Sequence, residues 1–153
     1  MITVEHSISI HAPIDRVFAA LTDPRRAPEW NPSVIEVTDF SGYPVREGST
    51  WRQLTSIAGR QMSLHARVIR YVPPSEGLIE ISGDQRGRVW TLCRAEGDVT
   101  IVTNGVAIEP PGGMMGRLAG PMIQGVMARE LARSTERQRE TLEREAYGGP
   151  GSA

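Results

Sequence analysis

Ile8-Ser9-Ile10-His11-Ala12-Pro13-Ile14-Asp15-Arg16-Val17-Phe18-Ala19-Ala20-Leu21 changes its period part-way along. Upstream of Pro13, residues 2–10 alternate strictly, with Ile2, Val4, His6, Ile8 and Ile10 on one face and Thr3, Glu5, Ser7 and Ser9 on the other. That is the pattern of a half-buried strand. Downstream, Val17, Phe18 and Leu21 fall on one side of a helix, and Pro13 suits its first turn because the missing amide hydrogen costs nothing there. Asp23-Pro24 ends this helix, and a second short one is predicted over Arg25 to Trp30 before Asn31-Pro32 breaks it.

From that point the period of two returns. Strands are predicted near Val34 to Phe40, Thr50 to Ile57, Gln61 to Tyr71, Leu78 to Ser82, Arg88 to Arg94 and Val99 to Ile108. Turn chemistry separates them, at Ser41-Gly42, Ala58-Gly59, Pro73-Pro74, Gly83-Asp84 and Glu96-Gly97-Asp98. Short connections join antiparallel neighbours, so these strands read as a meander. After Pro110-Pro111-Gly112-Gly113 the period is helical, with Met115, Leu118, Met122 and Val126 on one line and Ile123 and Met127 beside it. Gly120-Pro121 predicts a kink or a restart, because proline lacks the donor for the preceding turn. Beyond Arg129 the stripe thins to Leu131 and Leu142, and 147–153 is too poor in apolar residues to be ordered. The expected organisation is one α+β domain over 1–146 and a disordered tail over 147–153.

Composition narrows the chemistry. The 153 residues suit one core, and a net charge of -1 gives no electrostatic reason to expect nucleic acid as a partner. All basic residues are arginine, which excludes Schiff-base chemistry on a lysine amine. Cys93 is the only cysteine, so no internal disulfide forms and a buried, inert thiol is expected. No apolar run approaches the ~20 residues of a membrane helix, so no integral membrane association is expected. Met1-Ile2-Thr3-Val4-Glu5-His6 is unlike a signal peptide, which makes cytoplasmic the default. The sequence offers neither a phosphate-cradling glycine loop nor a metal-ligand spacing, so no cofactor and no metal are expected.

The order of several segments then matters. Ile8 to Leu21, Asp23-Pro24, Trp30-Asn31-Pro32, Glu47-Gly48-Ser49-Thr50-Trp51, the Val68-to-Pro74 strand exit, Gly97-Asp98-Val99-Thr100 and a long C-terminal helix follow one another. In that order the chain resembles the START/Bet v 1-like (SRPBCC) superfamily, the polyketide cyclase/dehydrase group. The resemblance implies a helix-grip fold: a seven-stranded antiparallel sheet wrapped around the C-terminal helix, two short helices after the first strand, and a chamber for an apolar molecule between sheet and helix. An unfilled space costs about 24 cal/mol per Å³, so a ligand-sized hollow of about 300 Å³ would cost about 7 kcal/mol. Such a space persists only if it is well supported or occupied.

Residues expected to line the chamber are Trp51, Met62, Leu64, Trp90, Asn104, Met115, Leu118, Met122 and Val126. The methionines suit irregular apolar partners, and ordinary core packing is the other reading of each. Trp51 and Trp90 each offer a flat wall and one donor if they face inward, and core packing stands equally for both. Asn104 is either an inward polar group or a plain ladder position. As acid, base or orienting group, His6, Arg88 and Tyr71 are the candidates. Arg88 shares parity with Trp90 and Leu92, so its place depends on which way that face turns. The group's aromatase/cyclases use aromatics and an arginine in their middle strands. Here Met62 and Leu64 stand in that region, with Arg60 and Arg67 nearby, which lowers the enzyme reading.

Three functional classes follow. The first is a carrier or sensor that binds a hydrophobic small molecule: a lipid, a polyketide or an aromatic metabolite. The second is an enzyme, a cyclase, dehydratase or hydrolase using the same cavity. The third is a protein-interaction or regulatory module. Monomer and homodimer are both open.

Overall fold

The computed structural model describes residues 1–57, 59–110 and 112–147. Ala58, Pro111 and 148–153, with most of the expected tail, lie outside the described residues. The chain runs β1 (Ile2–Ile10), α1 (Ile14–Leu21), a 3-10 turn (Pro24–Arg26), α2 (Ala27–Trp30), β2 (Val34–Thr38) and β3 (Thr50–Ile57). It continues through β4 (Arg60–Val72), β5 (Glu76–Gly83), β6 (Gly87–Glu96) and β7 (Val99–Ile108) to α3 (Gly113–Tyr147). The strands form one seven-stranded antiparallel sheet in the order β1-β7-β6-β5-β4-β3-β2. This is the α+β helix-grip arrangement, a meander from β2 to β7 with β1 added beside β7. The two short helices carry the chain from one edge of the sheet to the other.

Register shows which face each side chain takes. Val4 lies opposite Val106, His6 opposite Asn104 and Ile8 opposite Val102. Across the sheet Asn104 meets Thr91, Val102 meets Cys93, and Val89 meets Ile79. This inner face carries the helices. Ile10, Val17, Phe18, Trp30, Cys93, Val102 and Leu142 form the main core, tying α1, α2 and the end of α3 to β1, β6 and β7. A second cluster, Val45, Trp51, Ala66 and Val68, sits over β3 and β4, and Tyr71 packs against both clusters.

The long helix docks through a face that its apolar stripe does not reveal. Gly116, Thr135, Gln138 and Leu142 are buried and Ile123, Met127 and Leu131 half-buried, all at helical spacings on one side. Asn104 Nδ2 donates to Thr135 Oγ1 at 3.2 Å and to Gln138 Oε1 at 2.7 Å, while Thr91 Oγ1 donates to Asn104 Oδ1 at 3.1 Å. This network pins α3 over β7, and Gln124 Nε2 reaches the Thr3 carbonyl of β1 at 3.2 Å. The helix runs unbroken through Pro121, where the sequence predicts a kink or restart, and extends to Tyr147, which the sequence assigns to the tail.

Candidate ligand-binding site

A partly enclosed, mainly apolar hollow lies under the end of α1 rather than under the methionine-bearing part of α3. A hollow of about 70 Å³ is bounded by Leu21 and Thr22 at the end of α1 and by Val45 in the β2–β3 connection. Its floor is Trp51, Val68, Tyr71, Gly77, Ile79, Val89 and Thr91 on β3 to β6. Among the described residues, none of α3 lines it. Gly77 leaves room where a side chain would intrude, since a Cβ there would stand 3.2 Å from Thr22 Cγ2 and 3.9 Å from the Phe18 ring. The Phe18 and Tyr71 rings, with centroids 5.5 Å apart, form the adjoining wall.

One residue of this apolar lining carries an unpaired polar atom. Trp51 is 5 % exposed, and its Nε1 is buried with no hydrogen-bond partner among the described residues. Tyr71 is half-buried and lines the hollow. The hydroxyls of Thr22 and Thr91 are already donating, to the Phe18 carbonyl at 2.7 Å and to Asn104. Cys93, in the main core, is inert as expected: burial pushes its thiol up to about 12.

The roof of the hollow is latched by charge. Asp23 accepts from Arg25 N at 3.0 Å, from Arg25 Nε at 3.1 Å and from Tyr43 Oη at 3.2 Å, and the Arg25 guanidinium lies 3.6 Å over the Tyr43 ring. Tyr43 belongs to the same connection as Val45, so the latch joins the α1–α2 turn to the segment that closes the hollow. Burial would raise the Asp23 pKa, but the bonds and charge of Arg25 and the Tyr43 hydroxyl outweigh it and hold the carboxyl below its ordinary 3.8. A carboxyl depressed on folding adds stability above its unfolded value, and that share is lost as pH falls through the lower folded value. Melting temperature should therefore drop as pH falls below about 4, and less steeply in Asp23→Asn. Parallel melting curves for the two proteins from about pH 6 to pH 2 would contradict this role.

The residues singled out in the sequence divide sharply. Trp51 and Tyr71 meet at the hollow. Leu64 is buried and Met62 half-buried on the same inner face, but neither lines it. His6 is half-buried on that face opposite Asn104, also away from the hollow. Asn104, expected as a chamber residue, spends its amide on the docking of α3.

Trp90 and Arg88 are corrected to the outer face. The Trp90 ring covers Gly105, where a Cβ would come within 2.0 Å of it, and its Nε1 donates to Glu5 Oε2 at 2.8 Å. Trp90 still borders the hollow between Val89 and Thr91. Arg88 is exposed there, opposite Glu80. Leu118 and Met122 are 78 % and 74 % exposed and Val126 42 %, so this line of α3 points away from the docking face. The side chain of Met115 lies outside what the structure describes. Val45, Thr22 and Gly77 carry no signal in the sequence, since the first two sit in connections without a period and a glycine has no side chain to place.

Residues 1–143 match the family described as polyketide cyclase / dehydrase and lipid transport. The chain belongs to this family. No curated protein matches the chain. Among solved structures, the polyketide cyclase/dehydrase family member is similar in fold to the Zhui aromatase/cyclase from Streptomyces sp. R1128, with TM-score 0.73 at 16% identity over 97% of this chain and 98% of that one. A protein from Thermus thermophilus gives TM-score 0.75 at 16% identity, covering 92% and 96% of the two chains. A START superfamily protein from Mycobacterium smegmatis gives 0.65 at 20% identity, covering 92% and 98%. The polyketide cyclase/dehydrase family member thus has the START-like fold. Among its described residues, no helix is long and apolar enough to cross a membrane.

Proposed function

We propose that this protein binds a hydrophobic small molecule on the inner face of the sheet, with part of the ligand lodged in the hollow under α1. The observation that carries this reading is the hollow itself: a mainly apolar, partly enclosed space kept open by Gly77 between two packed clusters. An empty space of about 70 Å³ costs about 1.7 kcal/mol at 24 cal/mol per Å³, a sizeable share of a stability of about 5–15 kcal/mol. Whole drug-sized ligands occupy about 300 Å³ or more, so only one end of such a molecule fits there. Family membership supports the same reading, since the family's description covers both cyclisation and lipid transport.

A second reading, catalysis, is favoured by one observation, that Tyr71 lines the hollow. A tyrosine there would serve as a general acid toward a ligand oxygen. Arg88 faces outward and His6 lies elsewhere on the inner face, so Tyr71 would act without either.

Binding is testable on the purified protein by thermal shift against fatty acids, flavonoids and aromatic polyketides. A ligand present at a hundredfold its Kd adds about 2.7 kcal/mol, which raises the melting temperature by about 5–10 °C in a chain of this size. A panel in which no apolar compound moves the transition would reject the proposal.

A further inference from the structure

We infer that the outward face of α3 is a self-association surface, on which a second copy of this chain lays its own α3 antiparallel about a two-fold axis near Pro121 and Met122. Among the described residues none of α3 lines the hollow, so the inference stands apart from the ligand reading. Met114 is 77 % exposed, and Leu118, Pro121, Met122 and Val126 continue the same side of the helix in water. At about 100 Å² for each large side chain they present about 400 Å² of apolar surface, within the range of patches that folded proteins use for contacts. Two such faces, with the stems of Arg117 and Arg129 at their rims, cover about 1,000 Å² together, the area at which specific interfaces begin.

The shape of the face fits its own copy. Leu118, Pro121, Met122 and Gly125 stand at i, i+3, i+4 and i+7, so the glycine opens a hole within the stripe. A glycine inside a helix is less favourable than alanine, and nothing in the domain requires one here, because a Cβ on Gly125 would meet no atom within 4 Å. Across the two-fold axis Leu118 of one copy falls opposite Gly125 of the other, and Met122 opposite Pro121, which sets knob against hole. A parallel pair would instead set Gly125 against Gly125 and Arg129 against Arg129. The antiparallel pair separates the two Arg129 residues by about 22 Å along the helix, past a Debye length of about 8 Å. A lipid surface is a poorer match. A bilayer gains nothing from a hole in the stripe, and between Glu109 and Glu130 the chain offers anionic headgroups only Arg117 and Arg129.

The test is sedimentation velocity on the full chain from about 0.5 to 200 µM, a range that brackets the micromolar strength of an interface this small. Monomer should give way to dimer across it, and in dilute solution Leu118 returns to water. Gly125→Gln fills the hole with a better helix former, so it should weaken the dimer about tenfold or more while the dilute monomer melts at the same temperature or higher. Met122→Cys, beside the axis, should cross-link to its copy under diamide, whereas Met114→Cys, about 22 Å from its own copy, should not. Cys93 is buried and stays out of this reaction. A chain that remains monomeric to the top of the range, a Gly125→Gln dimer as tight as the unaltered one, or cross-linking at 114 in place of 122 would overturn the inference. So would a monomer that sediments with phosphatidylglycerol vesicles and is released from them by Leu118→Gln.

Discussion

Phe18→Ala should destabilise the protein by about 3–5 kcal/mol, enough to bring an ordinary domain near the edge of folding. Phe18 is 2 % exposed and is among the largest fully buried side chains. Its ring touches both halves of the interior. It packs in the main core with Ile10, Val17, Trp30 and Leu142, and it faces Tyr71 at the wall of the hollow. Truncation removes the transfer energy of the ring and leaves a cavity that neighbours on the sheet cannot close, because their backbones are held in the ladder. Phe18→Leu keeps most of the volume and should cost less than about 1.5 kcal/mol. Urea denaturation of both variants checks the pair; a loss below about 1 kcal/mol for the alanine variant would show that this wall is not tightly packed.

The second large effect belongs to the far end of α3. Leu142 is 0 % exposed, in one core cluster with Ile10, Val17, Phe18 and Trp30, and Leu142→Ala should cost about 2–5 kcal/mol. Because α3 is held to the domain by this end and by the Asn104 network, hydrogen exchange should quicken along the helix and not only around Leu142. Leu118→Ala is the informative contrast. The same chemical change at a residue 78 % exposed should stay within about 0.5 kcal/mol. Equal losses at the two positions would contradict the orientation of the helix.

These two leucines also show what the sequence disclosed and what it hid. The β1 alternation from Ile2 to Ile10 and the turn signals between strands carry their meaning locally, so the sheet and its strand count were legible. The face of α3 was not. Leu118, Met122 and Val126 make the more apolar line, yet the docking side uses Gly116, Thr135 and Gln138, the last two of which bond the distant Asn104. Hydropathy cannot register a polar side chain whose partner comes from another strand. Trp90 posed a parity tie, and Gly105 breaks it, since a residue with no Cβ opposite an indole marks a close approach on that side. Of the hollow, Trp51 and Tyr71 were within reach of the sequence. Thr22 and Val45 come from segments whose conformation no repeat announces.

The position of β1 has a bearing on how the molecule is made. Ile2 pairs with Ile108 and Ile10 with Thr100, so the first strand finds its neighbour only when synthesis has passed residue 108. Until the ribosome delivers that partner, the opening segment carries isoleucines with nowhere to go, and such unsheltered strands favour aggregation. Closing so long a loop costs more entropy than forming the consecutive hairpins from β2 to β7, so β1 should join a meander that has already assembled.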